Sequence, residues 1–155
     1  MFKRIFEQVV VAISTTPSEA QDDPAREQGI RLATAVLMLD VARADHVFDE
    51  TEFDEVLTLV ETHFGLSPED SAELVNEADF KAENLTSLHE FTQLLHSNLD
   101  ENEKASIVEM LWKIAYADGR LDKYEDSLVL KISDLLHVSR GRVMKLKHDA
   151  EIDNA

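Results

Sequence analysis

Two short stretches place acids at the same spacing. Residues 38–52 read MLDVARADHVFDETE and residues 111–125 read LWKIAYADGRLDKYE. Each contains A-x-A-D-x-x-Φ-D-x-x-E, with Phe48 or Leu121 as Φ. The acids are Asp45, Asp49 and Glu52 in the first copy and Asp118, Asp122 and Glu125 in the second. Carboxylates at positions 1, 5 and 8 of a short segment offer hard oxygen ligands that suit Ca²⁺, Mg²⁺ or Mn²⁺. The spacing is not that of an EF-hand, which needs acids at its first, third and fifth positions and a glutamate at the twelfth.

The same residues have a simpler use. Asp49 with Glu52, and Asp122 with Glu125, read as capping boxes: the Asp accepts from the backbone amide of the third helical residue, and the Glu reaches back to the amide of the cap. Phe48 and Leu121 then stand where a hydrophobic staple belongs. Capping does not account for Asp45 and Asp118. Each follows a helical segment, where a negative charge opposes the helix dipole. A turn-stabilising hydrogen bond would compensate, and so would a cation. Gly119 suits a left-handed turn residue in the second copy, and His46 replaces it in the first.

Other chemistries find less support. The chain has no cysteine, which removes disulfides, thiol nucleophiles and thiolate metal sites. Six histidines are scattered at 46, 63, 89, 96, 137 and 148, with no H-x-x-x-H or H-E-x-x-H pair. His63 and His137 fall near equivalent helix ends of the two copies, and His89 and His96 share a face that reads as solvated. The four glycines are isolated, so no phosphate loop is present. A metal-assisted hydrolase would need a separate base, nucleophile or pocket motif, and none is visible. The expectation is a protein that is not an enzyme.

The elements that carry the acids are helices. Residues 25–44 hold apolar side chains densely enough to bury most of a helix, and 50–64 place Phe53, Val56, Leu57, Leu59, Val60 and Phe64 on one side. Gly65 follows as a C′ residue. Ser67-Pro68-Glu69-Asp70 starts a helix that is expected to end near Ala78. Leu85, Leu88, Phe91, Leu94 and Leu95 give helical spacing over 83–99. Asp100 with Glu103 makes a further capping box, followed by Ile107, Leu111, Ile114 and Ala115 on an apolar face. Trp112 and Tyr116 are i, i+4 neighbours, read as core with a wet edge. A helix over 123–136 and a short one from Ser139 to about Lys147 complete the chain, with 149–155 as a tail. No good strand appears.

The two acidic stretches belong to an internal repeat with an offset of 73 residues, which continues through Val56/Val129, Leu57/Leu130 and Leu59/Ile132. One residue is then dropped, and Leu66-Ser67 aligns with Val138-Ser139. The expected fold is all-α: a bundle of seven or eight helices built from two related helix–loop–helix halves about a pseudo-two-fold axis.

These residues also resemble a family. LDVARADHVFDETE, LWKIAYADGRLDKYE, HFGLSPEDSAEL and HEFTQLL look like the TerB-like proteins, named from bacterial tellurite-resistance operons, over roughly residues 25–147. The resemblance implies an all-helical domain over 25–148 with two related halves. It also implies a site of acidic metal ligands, carried over to Asp45, Asp49, Glu52, Asp118, Asp122 and Glu125. The sequence departs from the family pattern at His46, where Gly is usual. Tellurite is an oxyanion, and 15 Lys and Arg against 32 Asp and Glu give a net charge of −17 that repels it. Without thiols to reduce it, direct tellurite chemistry is disfavoured, and a role in stress response, metal homeostasis or complex assembly fits better.

The same charge argues against nucleic acid as a partner. Before the domain, Phe2, Ile5, Phe6, Val9, Val10 and Ile13 form the stripe of an amphipathic helix over 1–14, and 15–24 reads as a linker. No stretch approaches the ~20 apolar residues that span a bilayer, and no cleavage site follows the first helix. A cytoplasmic protein is expected. The apolar stripe and the basic residues Arg140, Arg142, Lys145 and Lys147 suggest a protein partner or self-association. Two readings follow: a divalent-cation-binding domain, or a metal-independent interaction module whose acids are only caps.

Overall fold

The computed structural model describes residues 24–44, 50–83, 87–117 and 122–153. The expected helix over 1–14, the linker except for Pro24, and the loop residues Asp45, His46, Phe48, Asp49, Asp118, Gly119 and Leu121 lie outside the described residues.

The described residues form α1 (Pro24–Ala42), α2 (Glu50–Phe64), α3 (Pro68–Glu83), α4 (His89–Asn98), α5 (Glu101–Ala115), α6 (Lys123–Leu135) and α7 (Arg140–Asp153), with no strand among them. The all-α class expected from the periodicity is the class observed. None of these helices is long and apolar enough to cross a membrane.

Helix α1 is the hub. It packs on α2, α3, α4, α5 and α6, and twelve of its nineteen residues are buried, from Gly29 to Ala42. A helix surrounded on all sides has no polar face to show, so its apolar residues do not gather into one stripe. Helix α5 is the second central element. It contacts α1, α2, α6 and α7 and buries nine of its fifteen residues, Trp112 among them. Each first helix of the repeat thus packs on its own second helix (α1 on α2, α5 on α6) and on the other copy's second helix (α1 on α6, α5 on α2). The register is kept as well. Val41 and Ile114, Ala42 and Ala115, and Val56 and Val129 are all fully buried.

The helix ends explain the turns. Ser67 Oγ accepts from the Asp70 amide at 3.1 Å, so Ser67 caps α3 as its sequence indicates. Asp100 caps α5 in a complete capping box: its carboxylate accepts from the Glu103 amide at 2.8 Å, and Glu103 Oε1 accepts from the Asp100 amide at 2.9 Å. Gly65 ends α2 at φ +64, and His137 stands at the equivalent place after α6 at φ +63. Both ends bond alike, with the Leu66 amide donating to the Glu61 carbonyl and the Val138 amide to the Ser133 carbonyl, each at 3.1 Å. This is the Schellman arrangement. The left-handed conformation costs a side-chain-bearing residue about 1–2 kcal/mol, so His137 carries strain that Gly65 does not.

Three boundaries differ from the sequence expectation. Helix α3 continues past Ala78 to Glu83, because Ala82 still buries against the core. Helix α4 starts at His89, not at residue 83, with the Ser87 hydroxyl accepting from the His89 amide at 3.2 Å. Helix α7 runs to Asp153, so residues up to 153 of the expected tail are helical. It is held by buried Val143 and Ala150, by the Trp112 indole donating to the Val143 carbonyl at 3.2 Å, and by Lys147 on Asp126 at 2.7 Å.

Candidate functional site

Three of the six candidate acids, Glu52, Asp122 and Glu125, are among the described residues; Asp45, Asp49 and Asp118 are not. Asp122 is the N-cap of α6, in extended backbone, with Oδ1 accepting from the Tyr124 amide at 3.0 Å. It therefore caps α6, but its bond comes from the second helical residue and not from the amide of Glu125 that a capping box would use. Glu125 is the third residue of α6, and Glu52 the third of α2. Both are buried, Glu125 at 0% exposure and Glu52 at 1%.

Burial at both positions is more than a cap requires. Glu103 occupies the same third position in α5, closes a full capping box and remains exposed. An ionised carboxylate taken out of water costs several kcal/mol unless hydrogen bonds or a cation compensate it. A helix N-terminus supplies part of that compensation through its dipole and free amides. Ala42 and Ala115, the last residues of α1 and α5, are fully buried too, and in each copy the helix that carries the glutamate packs on the helix that precedes it. The matching burial of Glu52 and Glu125 could not be read from the D-x-x-E pattern, because that pattern also describes the exposed Asp100–Glu103 cap.

A cleft of about 290 Å³ is lined by Glu55, Leu59, Lys113, Ala117, Ala150 and Asp153. Ala117 is the chain neighbour of Asp118. The cleft brings Glu55 from α2 and Asp153 from α7 to the same wall as Ala117, with Lys113 the one cation among its described lining residues. Among the described residues, no three His, Asp or Glu side chains converge as a metal-binding group.

The histidines divide. His63 lies in the last turn of α2, as expected, edge-on to Phe64 with ring centroids 4.7 Å apart. His96 is not on a solvated face. It is half-buried, its ring stacks at 4.1 Å on that of His137, and its Nδ1 lies 3.0 Å from Lys104 Nζ. These contacts join residues from α4, α5 and the turn after α6, which no local spacing reveals. Trp112 has no wet edge: it is fully buried and its N–H is satisfied by Val143.

The basic residues of α7 each have a partner within the chain. Arg140 pairs with Asp134 at 3.0 Å, Arg142 donates to Asn102 at 2.9 Å, Lys145 reaches Asp149 at 3.4 Å, and Lys147 reaches Asp126 at 2.7 Å. On the exposed pairs this is weak electrostatics. Lys147 also lies over the Trp112 ring, 5.4 Å from its centroid, and so fastens α7 to the core.

Comparison with curated proteins and with solved structures finds no match for the chain. The family described as tellurite resistance protein TerB does match, over residues 31–148. That span runs from α1 into α7 and includes both acidic copies and both buried glutamates. It covers well over half of the sequence, and the chain belongs to the TerB family.

Proposed function

We propose that this chain is a divalent-cation-binding domain that acts without catalysing a reaction. The cation, Ca²⁺, Mg²⁺ or Mn²⁺, is held by Asp45, Asp49 and Glu52 in one copy and by Asp118, Asp122 and Glu125 in the other. The observation that carries this reading is the burial of Glu52 and Glu125 at equivalent places, against the exposure of Glu103, which only caps. Hard carboxylate oxygens, one of them already desolvated, suit these ions. In this reading the two copies of the repeat give two sites of the same kind. The domain then serves tellurite resistance or a related stress response in the cytoplasm by presenting a cation-set surface to a protein partner or to a second copy. A direct role with tellurite is disfavoured by the net charge of −17 and the absence of thiols.

A second reading is favoured by one observation. Asp122 already serves as the N-cap of α6, which supports a metal-independent interaction module whose acids only stabilise turns.

The two separate by thermal unfolding of the full chain in millimolar Ca²⁺, Mg²⁺ or Mn²⁺ against NaCl of equal ionic strength. Salt screens charge without selecting an ion, whereas a bound ion stabilises by RT ln(1 + [L]/Kd). A rise in Tm specific to one divalent ion, diminished in Asp45→Asn and in Asp118→Asn, supports the cation site. A flat response to all three ions refutes it and leaves the interaction module.

A further inference from the structure

Three basic side chains from three elements meet at the end of α6. Lys104 of α5 is buried, with its side chain 5% exposed. Its Nζ lies 3.0 Å from His96 Nδ1 on α4 and 3.5 Å from Glu101 Oε1. An ammonium can only donate, so His96 Nδ1 must accept, and the ring proton must sit on Nε2. A backbone hydrogen bond to Leu136 holds the ring from the α6 side. The ring of His137 then stacks on His96, and this residue sits in the left-handed region at φ +63 where the equivalent position is Gly65. A histidine at a glycine position costs conformational energy, so its contact with His96 is what its side chain contributes there.

We propose that His96, Lys104 and His137 form an acid-sensitive latch, which holds the turn after α6 against α4 while His96 is neutral and loosens it when His96 is protonated. Protonation removes the only acceptor that His96 offers to Lys104 and sets two cations 3.0 Å apart, with the His137 ring beside them. Glu101 is the one carboxylate acting on this group from α5, and its side chain is 62% exposed, so solvent weakens its compensation. From α1, Arg26 is taken up by Asn98, donating to its side-chain oxygen at 3.2 Å and to its carbonyl at 2.6 Å. Around the turn itself, Asp134 and Arg140 pair with each other. Among the described residues, the exposed Glu101 is thus the carboxylate left to offset a second positive charge.

The direction agrees with the burial. Desolvation first, then Lys104 and His137, hold the His96 pKa below its ordinary value of 6.5, against Leu136 and Glu101. A base depressed in the folded state binds its proton less readily than in the unfolded chain. Its contribution to stability is therefore complete above about pH 6.5–7 and is lost as pH falls from there towards the folded value.

The test is NMR on the full chain between about pH 7.5 and 5, a range that brackets an ordinary histidine. His96 should titrate below 6.5, and Lys104→Met should move that titration upward. Protection of the Val138 amide, bonded to the Ser133 carbonyl, should fall on acidification beyond the intrinsic change in exchange rate, and should fall less in Lys104→Met. In thermal unfolding, His96→Asn, which retains an acceptor near Nδ1, should flatten the pH dependence of Tm. If the variants do not fold, the wild-type titration and the Val138 exchange decide. A His96 titration at or above 6.5, or Val138 protection that follows only the intrinsic rate, overturns the latch.

Discussion

Helices α5 and α6 open with the same two acids at the same spacing, Asp100 with Glu103 and Asp122 with Glu125, and treat the second acid in opposite ways. Glu103 lies in solvent and closes its cap; Glu125 is at 0% exposure. Both starts have an extended Asp that accepts a first-turn amide, from Glu103 in α5 and from Tyr124 in α6, and a helix dipole that favours negative charge. The difference is tertiary. The first turn of α5 leaves Glu103 at the surface, whereas α6 packs against the central helices α1 and α5 and buries Glu125. A four-residue capping pattern thus states where a helix starts and says nothing about how deep that start lies.

The largest expected effect is at the fourth residue of the pattern. Glu125→Ala removes a buried side chain, leaving a void and depriving the groups around it of a carboxylate, and should cost at least about 2 kcal/mol. Glu103→Ala removes one exposed reciprocal hydrogen bond and should cost about 0.5–1 kcal/mol. Urea unfolding of both variants checks the ratio; equal losses would mean that the burial of Glu125 has no energetic consequence. A smaller effect sharpens the comparison at its first residue. Asp100→Ala and Asp122→Ala each lose an N-cap and should each cost about 0.5–2 kcal/mol, close to one another. A much larger loss for Asp122→Ala in metal-free protein would show that Asp122 does more than cap.

Much of this arrangement was legible in the sequence, for a physical reason: helical periodicity, caps and turn residues are local. The Asp100 capping box, the Ser67 start and the Gly65 end each depend on a few neighbouring residues. The offset of the repeat pointed to equivalent burial, and Val56 and Val129 are buried alike. The depth of Glu52 and Glu125 was not legible, because it depends on how α2 and α6 pack against the central helices α1 and α5. Nor was the joining of His96, Lys104 and His137, which are brought together by packing of α4, α5 and α6 and not by spacing. Helix α7 was underestimated because it buries only Val143 and Ala150 and carries little periodic signal; Trp112 of α5 and Asp126 of α6 fasten it from outside its own sequence.

The contrast between the two starts can be put to one decisive measurement. The rise in Tm produced by a divalent ion, above that of NaCl at equal ionic strength, is compared in the wild type, Glu125→Gln and Glu103→Gln. If the buried glutamate of the repeat is a ligand, the rise is reduced in Glu125→Gln and retained in full in Glu103→Gln, since only the former loses a ligand charge. An ion-specific rise that is identical in all three proteins, or no rise in any of them, would contradict a cation site at Glu125.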